Sequence, residues 1–191
     1  MKMFNRNATP AGSILAIDGS MTNLSVIGRR LAALDYEVTL SDDGPEALAL
    51  IAAGGIDLVL LDAALPVMSG LAVLQEIRGA ARSADLPVIM ITGRKDPATA
   101  VQLLAAGADD TITKPFDFDV LAARMARLLF RQRRIADLKR SNQALDARIV
   151  ARAVEMAGMQ HALDETQADR LRLIASLKAL NDEVERLGAA G

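Results

Sequence analysis

Ile56-Asp57-Leu58-Val59-Leu60-Leu61-Asp62 is the stretch on which the fold turns. Four consecutive apolar residues, Leu58 to Leu61, suit a strand covered on both faces, as in a parallel sheet. Asp62 follows them at the C-terminal tip. Behind it, Ala63-Ala64-Leu65-Pro66-Val67-Met68-Ser69-Gly70 is a loop punctuated by Pro and Gly. In open α/β sheets, ligands bind in the crevice outside the carboxyl ends of the strands. An acid delivered to that position is therefore a candidate functional group.

On either side of this stretch, strand-like and helix-like segments alternate from Ser13 to about Phe116. Ile14-Leu15-Ala16-Ile17 is an apolar run ending in Asp18. Leu24, Ile27, Leu31 and Leu34 then recur at helical spacing, with Arg29 and Arg30 outward. Glu37 to Leu40 is a short strand. Pro45 to Ala53 is a helix with Pro early and Gly54-Gly55 as its stop. After the Asp62 strand, Leu71, Leu74 and Ile77 share one helical face. Pro87 to Ile91 is another buried strand, ending in Thr92-Gly93. Asp96-Pro97 caps and opens a fourth helix and Gly107 closes it. Asp110 to Thr113 is a fifth strand, leading into Lys114-Pro115-Phe116. Five βα units without long gaps predict an α/β fold: a doubly wound, five-stranded parallel sheet wrapped by helices on both sides.

The bulk composition excludes several function classes. The chain has 191 residues, 51% of them hydrophobic, with a net charge of −2. That balance argues against general nucleic-acid or membrane affinity. With no Cys and a single His, His161, thiolate chemistry and multi-histidine metal clusters are excluded. No apolar run reaches membrane length and residues 1–12 lack a signal-peptide core. The expectation is a cytoplasmic protein with a disordered tail over residues 1–12 and a globular domain over residues 13–130.

Residues 131–191 read as a helical coiled-coil segment. There is no Pro after Pro115 and one interior Gly, Gly158. Leu138, Asn142, Leu145, Ile149, Arg152, Met156, Met159, Leu163, Thr166, Arg170, Leu173, Leu177, Leu180, Val184 and Leu187 step by four and three. The step of three after three between Ile135 and Leu138 is a stammer that overwinds a coil locally. Asn142 at an a position would favour a parallel, in-register homodimer. His161 falls at an outward f position. One helix from Asp117 to Leu187 would run on the order of 100 Å at 1.5 Å per residue, unless it breaks near Gly158 into a hairpin.

The strand ends carry Asp18, Asp62, Thr92 and Lys114, which a doubly wound sheet brings to one crevice. Two carboxylates suit a hard divalent cation, most simply Mg²⁺. A hydroxyl and an ammonium beside them suit phosphoryl oxygens, and a carboxylate can itself be the nucleophile. At these residues the chain resembles the receiver domain of two-component response regulators: Ile14-Leu15-Ala16-Ile17-Asp18, Asp62 to Gly70, Thr92-Gly93 and Lys114-Pro115-Phe116. The likeness covers about Ser13 to Leu129. It implies that Asp62 accepts a phosphoryl group from a sensor histidine kinase or phosphotransfer protein. It implies that Asp18, Asp62 and the main-chain carbonyl of Ala64 hold Mg²⁺. Thr92 would meet the phosphoryl group, Lys114 its charge, and the Lys114-Pro115 bond would be cis.

Two positions depart from the family pattern. Gly19 stands where a second acid is usual, which should weaken Mg²⁺ binding. Thr111 stands where an aromatic switch residue is usual, so output must travel otherwise. The expected function is a phospho-acceptor rather than an enzyme, signalling by protein contact through the dimeric C-terminal helix. The alternatives are a phosphorylation-independent dimeric scaffold, or an antiterminator-type RNA-binding regulator using the basic run Arg131, Arg133, Arg134, Lys139 and Arg140.

Overall fold

The computed structural model describes residues 10–93 and 97–188. The elements alternate strictly: β1 (Ser13–Ile17), α1 (Met21–Ala32), β2 (Glu37–Ser41), α2 (Gly44–Ala53), β3 (Leu58–Asp62), α3 (Gly70–Gly79), β4 (Val88–Thr92), α4 (Pro97–Ala105), β5 (Asp110–Thr113) and α5 (Phe118–Gly188). The five strands form one parallel sheet in the order β2-β1-β3-β4-β5. Asp96, expected to cap α4, lies outside the described residues, as do residues 1–9. Among the described residues no helix is long and apolar enough to cross a membrane.

The apolar runs are buried on both faces because successive strand side chains point to opposite sides. Ile14, Ala16, Leu58, Leu60, Ile89 and Ile91 pack under Leu24, Ile27 and Leu31 of α1 and Leu121, Met125 and Leu128 of α5. Leu15, Ile17, Val59, Leu61, Val88 and Met90 pack under Ile51 of α2, Val73, Leu74 and Ile77 of α3, and Leu103 of α4. Each such Leu, Ile or Val contributes about 1.5–3 kcal/mol on burial. Ser20 and Ser69 cap α1 and α3, their hydroxyls accepting from the N–H groups of Asn23 and Ala72. Gly54 ends α2 at φ 85°, a backbone conformation that L side chains resist.

Several boundaries shift by a residue, and three differ with a consequence. Leu34, counted on the buried face of α1, is 45% exposed, because the helix ends at Ala32 and the chain turns through Asp35 at φ 62°. Ile56 and Asp57 precede β3 rather than belonging to it, and the Asp57 carboxylate instead accepts the Ser13 N–H at 2.9 Å. Ala11 and Gly12, expected in the tail, are tied down: the Ala11 N–H donates to the Asp35 carbonyl, and the Gly12 carbonyl accepts from the Glu37 N–H.

Arg78, at the end of α3, clamps the edge of the sheet opposite the strand tips. Its guanidinium donates to the carbonyls of Gly107, Ala84 and Leu86 and to the Asp109 carboxylate, which in turn accepts the Val88 N–H. Arg78→Ala strands those acceptors, and a loss of about 2 kcal/mol or more is expected in urea unfolding. A loss under about 0.5 kcal/mol would mean the clamp is ornamental.

The chain divides into one unit through Ile135 and a second from Ala136. In the first, α5 buries Leu121, Met125, Leu128 and Leu129. In the second it continues unbroken through Gly158, so the hairpin alternative is not realised. Leu138, Leu145, Ile149, Met156, Met159, Leu163, Leu173 and Leu177 are each at least half exposed there.

Candidate functional site

Parallel pairing places Ile17 beside Leu61, Asp62 beside Ile91, and Thr92 beside Thr113. The residues at or just past these positions, Asp18, Asp62, Thr92 and Lys114, therefore gather at one edge of the sheet. The first two carboxylates and the Thr92 side chain are buried, at 2%, 6% and 5% exposure. Lys114 joins the two acids: its Nζ donates to Asp18 Oδ2 at 2.6 Å and to Asp62 Oδ1 at 2.9 Å. Its own N–H donates to the Thr92 carbonyl at 2.7 Å, and the Lys114-Pro115 bond is cis, as expected. The Thr92 hydroxyl donates to Thr113 Oγ1 at 3.2 Å.

Asp18 is held by more groups than the sequence suggested. The Ser20 N–H donates to Oδ1 at 2.9 Å, and the Asn23 amide donates to both oxygens at 3.1 Å. The available signal was positional: the first turn of α1, capped by Ser20, brings residue 23 back over the tip of β1. Together with Val26, Ile27, Pro115, Phe116 and Phe118, Asn23 and Lys114 line a groove of about 430 Å³. Arg30 sits over the Phe118 ring, 5.5 Å from its centroid.

Gly19 and the loop after Asp62 pack closely. A Cβ on Gly19 would meet Pro66 Cδ at 3.0 Å and the Ala64 carbonyl oxygen at 3.8 Å. Asp18 and Asp62 are the two buried carboxylates here, and the Ala64 carbonyl lies on the loop beside Gly19. Among the described residues no group of three or more acids or histidines could hold a metal ion.

Burial raises the Asp62 pKa above 3.8, outweighing the hydrogen bond and charge of Lys114, while Asp18 repels it further. Burial acts on Lys114 in the other sense, but its hydrogen bonds to Asp18 and Asp62 outweigh that and lift it above 10.5. Both groups move upward because desolvation dominates at the acid and pairing dominates at the amine. By linkage, the stability Lys114 contributes is fully present below 10.5 and lost as pH rises through its higher folded value. Asp62 contributes most below 3.8 and loses that contribution as pH rises through its raised value. Urea midpoints measured against pH should therefore show a gap between wild type and Lys114→Met that is constant through neutrality and narrows in alkali. A gap that widens there would reverse this assignment.

Comparison with known proteins identifies the family. Residues 14–126 match the response regulator receiver domain. The chain is 32% identical over 170 residues to the response regulator PleD of Caulobacter vibrioides, covering 86% of this chain and 37% of PleD. It is 36% identical over 140 residues to the probable transcriptional regulator ycf27 of Cyanidium caldarium, covering 73% of this chain and 55% of that protein. It therefore spans about half or less of the length of these relatives.

Two solved structures are similar to the globular part. The chemotaxis protein CheY4 of Vibrio cholerae superposes with a TM-score of 0.58 at 28% identity, over 61% of this chain and 98% of that one. The receiver domain of the sensor histidine kinase PA1611 from Pseudomonas aeruginosa, solved with a magnesium ion coordinated in its active-site cleft, gives 0.58 at 30% identity over 62% and 97%. Fold, strand order and family match agree: the chain belongs to the response regulator receiver domain family, followed by a long C-terminal helix.

Proposed function

We propose that Asp62 accepts a phosphoryl group from a sensor histidine kinase or phosphotransfer protein, and that the change passes to copies of the chain paired through α5. The carrying observation is the Lys114 ammonium shared between Asp18 and Asp62. An Asp62 oxygen attacks phosphorus as the phosphohistidine N–P bond breaks, leaving an acyl phosphate and a free imidazole. Lys114 is already in place to pair with the added negative charge. Because burial raises Asp62, the acid limb of this reaction falls at a higher pH than for an ordinary Asp.

Asp18, Asp62 and the Ala64 carbonyl fit Mg²⁺ in donor chemistry, though Gly19 leaves two carboxylates rather than three. When bound, the ion would neutralise charge on the phosphoryl oxygens. With Thr111 in place of an aromatic residue, coupling to α5 runs through Arg124, which donates to Asp110 and to the Thr111 carbonyl of β5. A shift of β5 is then felt directly by α5, and from there by the exposed seam of Leu138, Leu145 and Leu163.

Gly19 favours one second reading, a dimeric scaffold that folds as a receiver but is not phosphorylated. Acetyl phosphate with Mg²⁺ separates the two. The proposed function expects intact-mass spectrometry to show one added phosphoryl group. Absence of any gain across a Mg²⁺ titration, with the chain still paired, would leave the scaffold.

A further inference from the structure

Between Asp146 and His161, α5 carries a second apolar face away from its seam. At about 100° per residue, Val150, Ala153, Val154 and Ala157 centre about 120° round the helix from the line of Leu138, Leu145 and Leu163. Arg148 and Glu155 lie on the opposite side, and Arg152 lies on the seam. Val150 is 63% and Val154 69% exposed. A helix packed on the seam covers a stripe of about 100°, so one partner does not reach this face as well.

The face is bounded on its own line by Asp146 at one end and His161 at the other, and it carries no charge between them. Its residues match when the stretch is laid antiparallel on itself about the Ala153–Val154 bond. Val150 then opposes Ala157, Ala153 opposes Val154, and Asp146 opposes His161. Each large side chain meets a small one, and each acid meets the imidazole. Laid parallel and in register, Val would meet Val and Asp146 would meet Asp146, so size and charge both favour the antiparallel arrangement. The patch spans roughly 20 Å, a length suited to two helices crossing rather than coiling.

We propose that this face is a second self-association surface of the chain, on which the same stretch of another copy lies antiparallel. The contact is isologous: whatever Val150 of one copy touches, Val150 of the other touches in return. It deepens the proposed pairing of α5 by adding a contact that the Leu138–Leu145 seam does not make, and it gives the apolar segment a partner that the seam leaves uncovered. Copies joined by both surfaces form species larger than a dimer.

The chain contains no Cys, so introduced thiols report on pairing without interference. Full-length Val150→Cys and Ala157→Cys proteins, mixed and mildly oxidised, are expected to form the cross-species disulfide at least tenfold more readily than Val150→Cys links to itself. Self-linking of Val150→Cys without the mixed product, or no link in either case, overturns the proposal. Leu145→Cys, oxidised alongside, reads the seam separately, so loss of this contact is distinguishable from loss of coil pairing altogether. Light scattering supplies a second readout. Val154→Glu, with helicity retained by circular dichroism, is expected to weaken assembly beyond the dimer at least tenfold, and an unchanged mass distribution overturns the proposal as well.

Discussion

Asp62→Asn takes up no phosphoryl group from acetyl phosphate, at any Mg²⁺ concentration at which the wild type is modified. This is the largest expected functional effect, because the substitution removes the proposed nucleophile and little else. An amide has nearly the shape of the carboxylate, and its oxygen still accepts from Lys114. The ammonium also keeps its 2.6 Å bond to Asp18. Burial already disfavours the charged form of Asp62, so the neutral amide sits there at little cost. The unfolding free energy is expected to stay within about 1 kcal/mol of wild type. Intact mass and a urea curve on the same preparation decide the matter. Persistent single modification of Asp62→Asn would move the acceptor elsewhere and remove the basis for assigning this site.

Gly70→Ala has the largest expected effect on stability. A Cβ at this position would lie 2.1 Å from the Asp62 carbonyl oxygen and 2.9 Å from Ala63 Cα. Both obstacles are backbone atoms, so no rotamer change relieves the overlap. The N-terminus of α3 must lift away from the end of β3, and the buried contacts of Val73 and Leu74 are strained with it. A loss of about 3 kcal/mol or more is expected in urea unfolding. Phosphorylation is expected to slow too, because the displaced loop is the one that follows the proposed acceptor. Gly19→Ala is the milder comparison, since its Cβ would be crowded by the Pro66 ring at 3.0 Å and would meet the Ala64 carbonyl oxygen only at an ordinary 3.8 Å. If Gly70→Ala costs less than Gly19→Ala, the close approach of α3 to β3 is not what the glycine provides.

These two substitutions differ in how visible they were beforehand. Asp62 stood out because it ends a run of four apolar residues, and such a run has one economical reading in an α/β chain. Gly70 looked like ordinary loop punctuation. Only the packing of α3 against the end of β3 gives it a steric role. Leu34 shows the opposite failure: its spacing fitted α1, but the helix stops at Ala32 and the turn exposes it. Nothing in the local sequence marks Asn23 or Arg78. Their side chains act on groups brought near by folding, Asp18 in one case and the carbonyls of Ala84, Leu86 and Gly107 in the other.

What this chain's sequence determined alone was the order of strands and helices, and which polar residues end the strands. Those properties are local: apolar runs, glycine and proline stops, and serine caps act within a few residues of themselves. The tertiary structure decided that Lys114 lies between two acids, 96 residues from one and 52 from the other. Such a contact exists only once parallel pairing has set the strand tips side by side. Burial in that crevice, rather than residue type, then determines how readily Asp62 gives up its proton.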